Sequence, residues 1–192
     1  DSTQIAFAAR RELKKVPVTG GMPFVLTTLG GDFRGGSWSP DGLSLVFSTV
    51  GEGISEIPST GGAAKLLVPS GGAAAYYNPQ ALPVSGGRRL AVAGKGNLAL
   101  QQLGLIDLDT GQSQTLRKPG GHPAWSPTGH ILYQTDGQIP GLWALPFSLK
   151  TGKVTGEPLP ILNAGSSVSA SSDGTLVWVD FTLIPEIQMV WR

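Results

Sequence analysis

The chain has 192 residues and a formal net charge of +1, with 40% hydrophobic residues, 28 glycines, 15 prolines and no cysteine. The near-neutral balance, with a pI near 8.2, gives no electrostatic case for a polyanionic partner such as nucleic acid. The lack of cysteine excludes disulfide and thiolate chemistry but leaves the compartment open. Gly plus Pro falls just under the roughly 25–30% that marks low complexity, and the apolar content suffices for a core. No apolar run approaches the length of about 18 residues that a membrane helix needs, and no charged-then-apolar leader or sustained helical period is present. The expectation is an all-β chain without direct membrane insertion.

In chain order, Gln4-Ile5-Ala6-Phe7-Ala8, Glu12-Leu13-Lys14-Lys15-Val16-Pro17 and Pro23-Phe24-Val25-Leu26-Thr27 read as three strands. A signature then begins to recur about every 44 residues: a small-residue strand, a Ser-Pro-x-Gly style turn and a second apolar strand. It runs Gly36-Ser37-Trp38-Ser39-Pro40-Asp41-Gly42 into Leu43-Ser44-Leu45-Val46-Phe47, then Leu82-Pro83-Val84-Ser85-Gly86-Gly87 into Arg88-Arg89-Leu90-Ala91-Val92. It returns as Ala124-Trp125-Ser126-Pro127-Thr128-Gly129 before His130-Ile131-Leu132-Tyr133, and as Ser169-Ala170-Ser171-Ser172-Asp173-Gly174 before Thr175-Leu176-Val177-Trp178-Val179. Proline presets φ for the second turn position and glycine takes the φ > 0 position, so each unit opens with an antiparallel hairpin.

Each complete unit goes on to a third strand, usually closed by proline, a second glycine-bearing turn and a fourth strand. These are Ile54-Ser55-Glu56-Ile57-Pro58 and Lys65-Leu66-Leu67-Val68; Leu105-Ile106-Asp107-Leu108 and Ser113-Gln114-Thr115-Leu116; and Leu142-Trp143-Ala144-Leu145-Pro146 with Leu159-Pro160-Ile161-Leu162 after the Thr151-Gly152 turn. Four strands per repeat at this period is the blade of a β-propeller. The reading is one all-β domain of antiparallel four-stranded blades, with three complete units (30–69, 70–118 and 119–163) between two partial ones (1–29 and 164–192). Inner strands are expected at Ser37 to Ser39, Asn78 to Leu82, Pro123 to Ser126 and Ser167 to Ser171. Because both ends carry a second and a third strand, with Gln188-Met189-Val190-Trp191 read as the last, the chain is expected to be a piece of a longer propeller. Unpaired blade edges then favour irregular closure or edge-mediated self-association.

Glu12-Leu13-Lys14-Lys15-Val16-Pro17-Val18-Thr19-Gly20-Gly21, the Arg34-Gly35-Gly36-Ser37-Trp38-Ser39-Pro40-Asp41-Gly42 turn, and Leu142-Trp143-Ala144-Leu145-Pro146-Phe147 with Val154-Thr155-Gly156-Glu157-Pro158 resemble the TolB-like, WD-related propeller repeats of bacteria. More narrowly, they are similar to the propeller fused behind bacterial serine/threonine kinases and some winged-helix regulators. The resemblance implies a bacterial sensing or protein-interaction module, with a periplasmic or extracytoplasmic location ahead of a cytoplasmic one. It names no catalytic residue, because the shared motifs are structural turns.

The remaining chemical motifs read as parts of that scaffold. Gly94-Lys95-Gly96-Asn97-Leu98-Ala99 matches a G-x-G-x-x-A fingerprint, but it lies between a second and a third strand instead of opening a helix, so it reads as a glycine-rich hairpin loop. His122 and His130 flank one turn without metal-ligand spacing, and no metal or cofactor is expected. Asp41 and Asp173 occupy turn positions that favour local backbone hydrogen bonds, and no G-x-S-x-G elbow presents a nucleophile. The basic run Arg10-Arg11-Glu12-Leu13-Lys14-Lys15 alternates around a hairpin and reads as a solvated strand face. Trp38, Trp125, Trp143 and Trp178 are expected to pack between blades. Tyr76 and Tyr77 are the candidates for ligand contact at the channel mouth, and His122, read with His130 as solvent-exposed or blade-capping, is a further candidate for ligand contact. The function expected is non-catalytic binding of a protein, peptide or glycan; the alternative is a propeller hydrolase or lyase, or the gating propeller of a peptidase, which would need converging acids, a metal or a triad.

Overall fold

The computed structural model describes residues 3–71, 75–84, 89–96, 101–135, 141–163, 166–171 and 173–179. The first sheet is β1 (Gln4–Ala9), β2 (Glu12–Pro17) and β3 (Phe24–Thr28) in that order. The second is β4 (Phe33–Trp38), β5 (Ser44–Thr49), β6 (Gly53–Pro58) and β7 (Lys65–Pro69), and the third is β8 (Ala75–Ala81), β9 (Leu90–Gly96), β10 (Gln102–Asp107) and β11 (Ser113–Arg117). The fourth holds β12 (Gly121–Ser126), β13 (His130–Thr135), β14 (Gly141–Ser148), β15 (Lys153–Val154) and β16 (Leu159–Leu162), and the last pairs β17 (Ser166–Ala170) with β18 (Leu176–Val179). Among the described residues every pairing is antiparallel, no helix occurs, and no strand of the last sheet pairs with the first.

The core lies between sheets. Along β5, Leu45 and Phe47 turn toward the first sheet, where they meet Leu13, Leu26 and Leu29, while Val46 turns the other way toward Tyr76, Ala91 and Ile106. Along β13, Ile131 and Tyr133 pack on Leu90, Val92 and Leu103 of the third sheet, while Leu132 faces Val168 of the last. Alternation with period 2 sends successive side chains to opposite faces. Here both faces are covered, so the central strands read as nearly continuous apolar runs instead of apolar-polar alternation. The ends differ: Ile5 on β1 and Val177 on β18 are 52% and 62% exposed.

Three expectations are revised in detail. Pro146 does not end its strand; β14 continues through Phe147 and Ser148, which pair with Val154 and Lys153 of the two-residue β15, a strand with no sequence signature of its own. Gly94, Lys95 and Gly96 belong to β9 instead of to a loop, because Gly94 and Lys95 pair with Leu103 and Gln102 of β10 and Gly96 pairs with Ala75 of β8, while 97–100 lie outside the described residues. Arg10 and Arg11 are not strand residues: both have positive φ (53° and 61°) and form the two-residue turn between β1 and β2, where Asn-Gly is the favoured pair. The rest of that basic run is tied down locally, with Lys14 2.8 Å from Glu12 and Lys15 over the Phe24 ring. The Val84-Ser85-Gly86-Gly87 turn and the Gln188-Met189-Val190-Trp191 strand lie at least partly outside the described residues.

Trp38, Trp125 and Trp143 pack against the inter-sheet clusters, and Trp125 meets Phe147 edge to face with ring centroids 6.4 Å apart. Trp178 on β18 departs from this pattern: it is 41% exposed and belongs to none of the inter-sheet clusters. A polar clamp joins the second and third sheets: Glu56 of β6 accepts from Arg89, which also approaches Asp109 at 3.5 Å, and Glu56 accepts from Ser44 at 2.7 Å.

Because Ile131 and Leu145 are fully or almost fully buried between two sheets, Ile131→Ala and Leu145→Ala are each expected to lower unfolding free energy by about 2–5 kcal/mol. Leu43, 68% exposed on a hairpin turn, sets the control, with Leu43→Ala expected to stay within about 0.5 kcal/mol. Urea denaturation of the three variants checks this, and equal losses at all three positions would contradict inter-sheet packing.

Candidate functional site at the inner-strand rim

The inner strands β4, β8, β12 and β17 stack one against the next in that order. Each carries one β-bulge, between Phe33 and Gly36, Tyr77 and Gln80, Gly121 and Ala124, and Ser166 and Ser169. At each bulge one residue takes the left-handed conformation: Gly35 (φ 99°), Asn78 (46°), His122 (46°) and Ser167 (51°). These four stand one repeat apart. Only the first is glycine; the others hold a conformation that costs of order 1–3 kcal/mol each and that clusters at functional sites. Pro79 and Pro123 follow directly, at bulges where a missing N–H deprives no ladder partner.

The bulges fit the crowding where blades converge. A Cβ built on Gly35 would lie 1.9 Å from Asn78 Oδ1, so glycine is needed there for space as well as for φ. Asn78 Nδ2 and His122 Nδ1 are 2.6 Å apart, a contact between inner strands of adjacent sheets. With the amide donating, Nδ1 is the acceptor and the ring proton sits on Nε2. A second bond of the same span runs from the Ala81 N–H to Ser37 Oγ at 2.8 Å. At Gly121 the space a Cβ would take is filled by the Gln101 side-chain amide. The rim therefore presents Gly35, Asn78, His122 and Ser167, with Arg34 and Tyr77 one residue upstream on their strands.

The expected ligand contacts separate on this geometry. His122 joins the rim. Tyr76 is 4% exposed and packs with Val46, Ile54 and Ala91 in the core between the second and third sheets. Tyr77 is 8% exposed, with the Arg34 guanidinium over its ring at 5.6 Å, so it supports the rim from beneath. Asn78 and Arg34 carry no motif that marks them as site residues. Counting back five residues from Pro40, Pro83, Pro127 and Ser172 lands on Gly35, Asn78, His122 and Ser167, so aligning the repeats on their turns is the signal that finds the rim.

Other polar clusters serve the turns. Ser39 donates to Asp41 Oδ1 at 2.6 Å and the Leu43 N–H donates to the same oxygen at 3.0 Å. Ser171, Asp173 and the Thr175 N–H repeat the arrangement. In the fourth sheet, Thr128 replaces the aspartate, bonding Ser126 Oγ at 2.8 Å and His130 Nδ1 at 3.0 Å. These donors favour the ionised carboxylate, lowering the Asp41 pKa and bringing that of Asp173 down to about 2. His130 thus lies at a turn while His122 lies at the rim, and among the described residues no three His, Asp or Glu side chains form a metal-holding group. Beside the turns, a groove of about 300 Å³ between the second and third sheets is lined by Asp41, Glu56 and Arg89.

Solved structures share this architecture. The chain matches TolB from Acinetobacter baumannii with a TM-score of 0.70 and 15% identity, over 92% of this chain and 47% of that one. It matches a protein assigned as TolB from Agrobacterium tumefaciens with a TM-score of 0.72 and 16% identity, over 96% and 68%. A chain of a nidogen/laminin complex matches with a TM-score of 0.71 and 13% identity, over 94% and 69%. No family model matches the sequence, and no curated protein matches it. The chain thus spans about half the length of the A. baumannii TolB, and at these identities the likeness shows the fold alone: a TolB-like, antiparallel β-propeller architecture.

Two measurements check the local chemistry. In a carboxyl NMR titration Asp173 is expected to titrate near 2 and Asp41 below 3.8. Since both folded values lie below the unfolded one, their stabilisation is present above about pH 4 and lost as pH falls toward 2; Asp173→Asn should flatten that acid limb. Gly35→Ala is expected to destabilise by about 1–3 kcal/mol, while Gly71→Ala, with open space around it, should be neutral or slightly stabilising.

Proposed function

We propose that this chain is a non-catalytic ligand-sensing or protein-interaction module of a bacterial protein, with the inner-strand rim as its binding surface. The observation that carries the reading is the rim itself: polar side chains at Asn78, His122 and Ser167 held on left-handed backbone in successive blades. Strain of this kind persists where surrounding packing over-determines it, and a rigid polar rim is suited to present hydrogen-bonding groups to a peptide, a protein loop or a glycan. The carboxylates Asp41 and Asp173 are engaged by turn donors and kept ionised, a state suited to holding hairpins and unsuited to general-acid work. The nidogen/laminin structure is itself a protein complex, which supports protein binding as a use of this fold. Enzymes share the fold too, so the alternative of a hydrolase or lyase rests on chemistry and not on architecture. Linkage to a kinase or winged-helix regulator, and an extracytoplasmic location, follow from the resemblance of the turn and third-strand sequences to those bacterial propellers. Among the described residues β1 pairs only with β2, and its open edge supports edge-mediated self-association as a second property.

The purified chain is expected to show no turnover on a panel of glycoside, ester, peptide and nicotinamide substrates. Reproducible turnover abolished by one polar substitution would replace this reading with the enzymatic one. Light scattering over a dilution series is expected to show a mass that rises with concentration; a constant monomer mass would remove self-association and leave the binding reading intact.

A further inference from the structure

Arg34 differs from the arginines that brace the fold. Arg11 donates to the Gly30 carbonyl at 2.6 Å, and Arg89 is held between Glu56 and Asp109. The Arg34 guanidinium makes no hydrogen bond or ion pair among the described residues, and its Nε is buried without a partner. Its one strong contact is the Tyr77 ring, 5.6 Å from Cζ to centroid. That contact sets the guanidinium over the ring while leaving its hydrogen-bonding capacity unused, and an unpaired guanidinium on a half-buried side chain is a charge that an anion would neutralise. Arg34 precedes Gly35, which lies against the Asn78 side chain, and its ring partner Tyr77 precedes Asn78, so the unpaired cation adjoins the residues that flank the Asn78 and His122 pair.

The geometry points to Arg34 as the charge-bearing group of the rim, taking a ligand that carries a carboxylate. This rests on the rim being the binding surface. A planar guanidinium offers a donor fork that matches a carboxylate, and the charge of one arginine balances one carboxylate; a phosphate dianion would call for a second cation. The Asn78 amide and His122 imidazole then supply neutral polar contacts for whatever the carboxylate is attached to. The carboxylate can belong to a peptide C-terminus or to a small organic acid.

The test is a ¹H–¹⁵N NMR titration of the full chain with three probes: N-acetyl-glycylglycine, its C-terminal amide, and succinate. The expected result is that N-acetyl-glycylglycine shifts the backbone amides of Arg34, Gly35, Tyr77, Asn78 and His122 while its amide does not, and that Arg34→Gln weakens binding at least tenfold, with Arg34→Lys losing less. Shifts from succinate of equal size assign the site to small organic acids; shifts from the peptide acid alone assign it to a peptide carboxylate. Either outcome supports Arg34 as the anion site. If acid and amide shift the rim equally, the carboxylate is wrong and the rim reading stands. If acid binding survives Arg34→Gln in a protein whose spectrum remains dispersed, Arg34 is not the group. If neither acid shifts the rim at tens of millimolar, the proposal is overturned.

Discussion

No sheet in this protein can bury its own apolar surface. Val46 and Phe47, or Leu132 and Tyr133, are neighbours in sequence that point in opposite directions, and each needs a different adjoining sheet to leave water. Burying a side chain of this size is worth about 1.5–3 kcal/mol, a gain that an isolated four-stranded sheet would forgo on at least one face. Stability therefore resides in the contacts between neighbours, as it does in other repeat architectures. The four clusters form a series, each made by two consecutive sheets, and the polar clamp of Glu56 and Arg89 reinforces one member of it.

The same stacking crowds the inner strands, and from that crowding the candidate site arises. The packing of β4, β8, β12 and β17 brings each strand close enough to bond the next, side chain to side chain between Asn78 and His122 and from the Ala81 backbone N–H to the Ser37 hydroxyl. The bulge re-aims one residue per strand and takes two backbone positions out of the ladder, which is where Pro79 and Pro123 are tolerated. Packing between sheets, which has nothing to do with ligands, thereby holds polar groups in a conformation they would not adopt in a free hairpin. A binding surface on such a support is rigid, and rigidity lowers the entropic cost of recognition.

What could be read from residues alone follows from how local the responsible physics is. The hairpins were legible because proline, aspartate and glycine act within four residues, and the hydrogen bonds of Ser39, Asp41 and Leu43 are that chemistry realised. The four-strand period was legible because the turns repeat. The bulges are not, since Asn and His tolerate the left-handed region better than most residues but occur far more often outside it, so neither Asn78 nor His122 marks a bulge by itself. Tyr76 and Tyr77 looked like channel-mouth aromatics by position, yet their large apolar area is better used against Val46 and Ala91 in one case and beneath Arg34 in the other. Strand β15 is not legible in the sequence because two residues, Lys153 and Val154, carry no pattern.

The account turns on the inner strands meeting through Asn78 and His122, and the tautomer of His122 tests it most directly. Long-range ¹H–¹⁵N correlation spectra of the imidazole, recorded at neutral pH, are predicted to show the proton on Nε2 and an unprotonated, hydrogen-bonded Nδ1 whose signal changes on Asn78→Ala. A ring protonated on Nδ1, or a spectrum indifferent to Asn78→Ala, would show that the inner strands do not meet there and would remove the support for the rim.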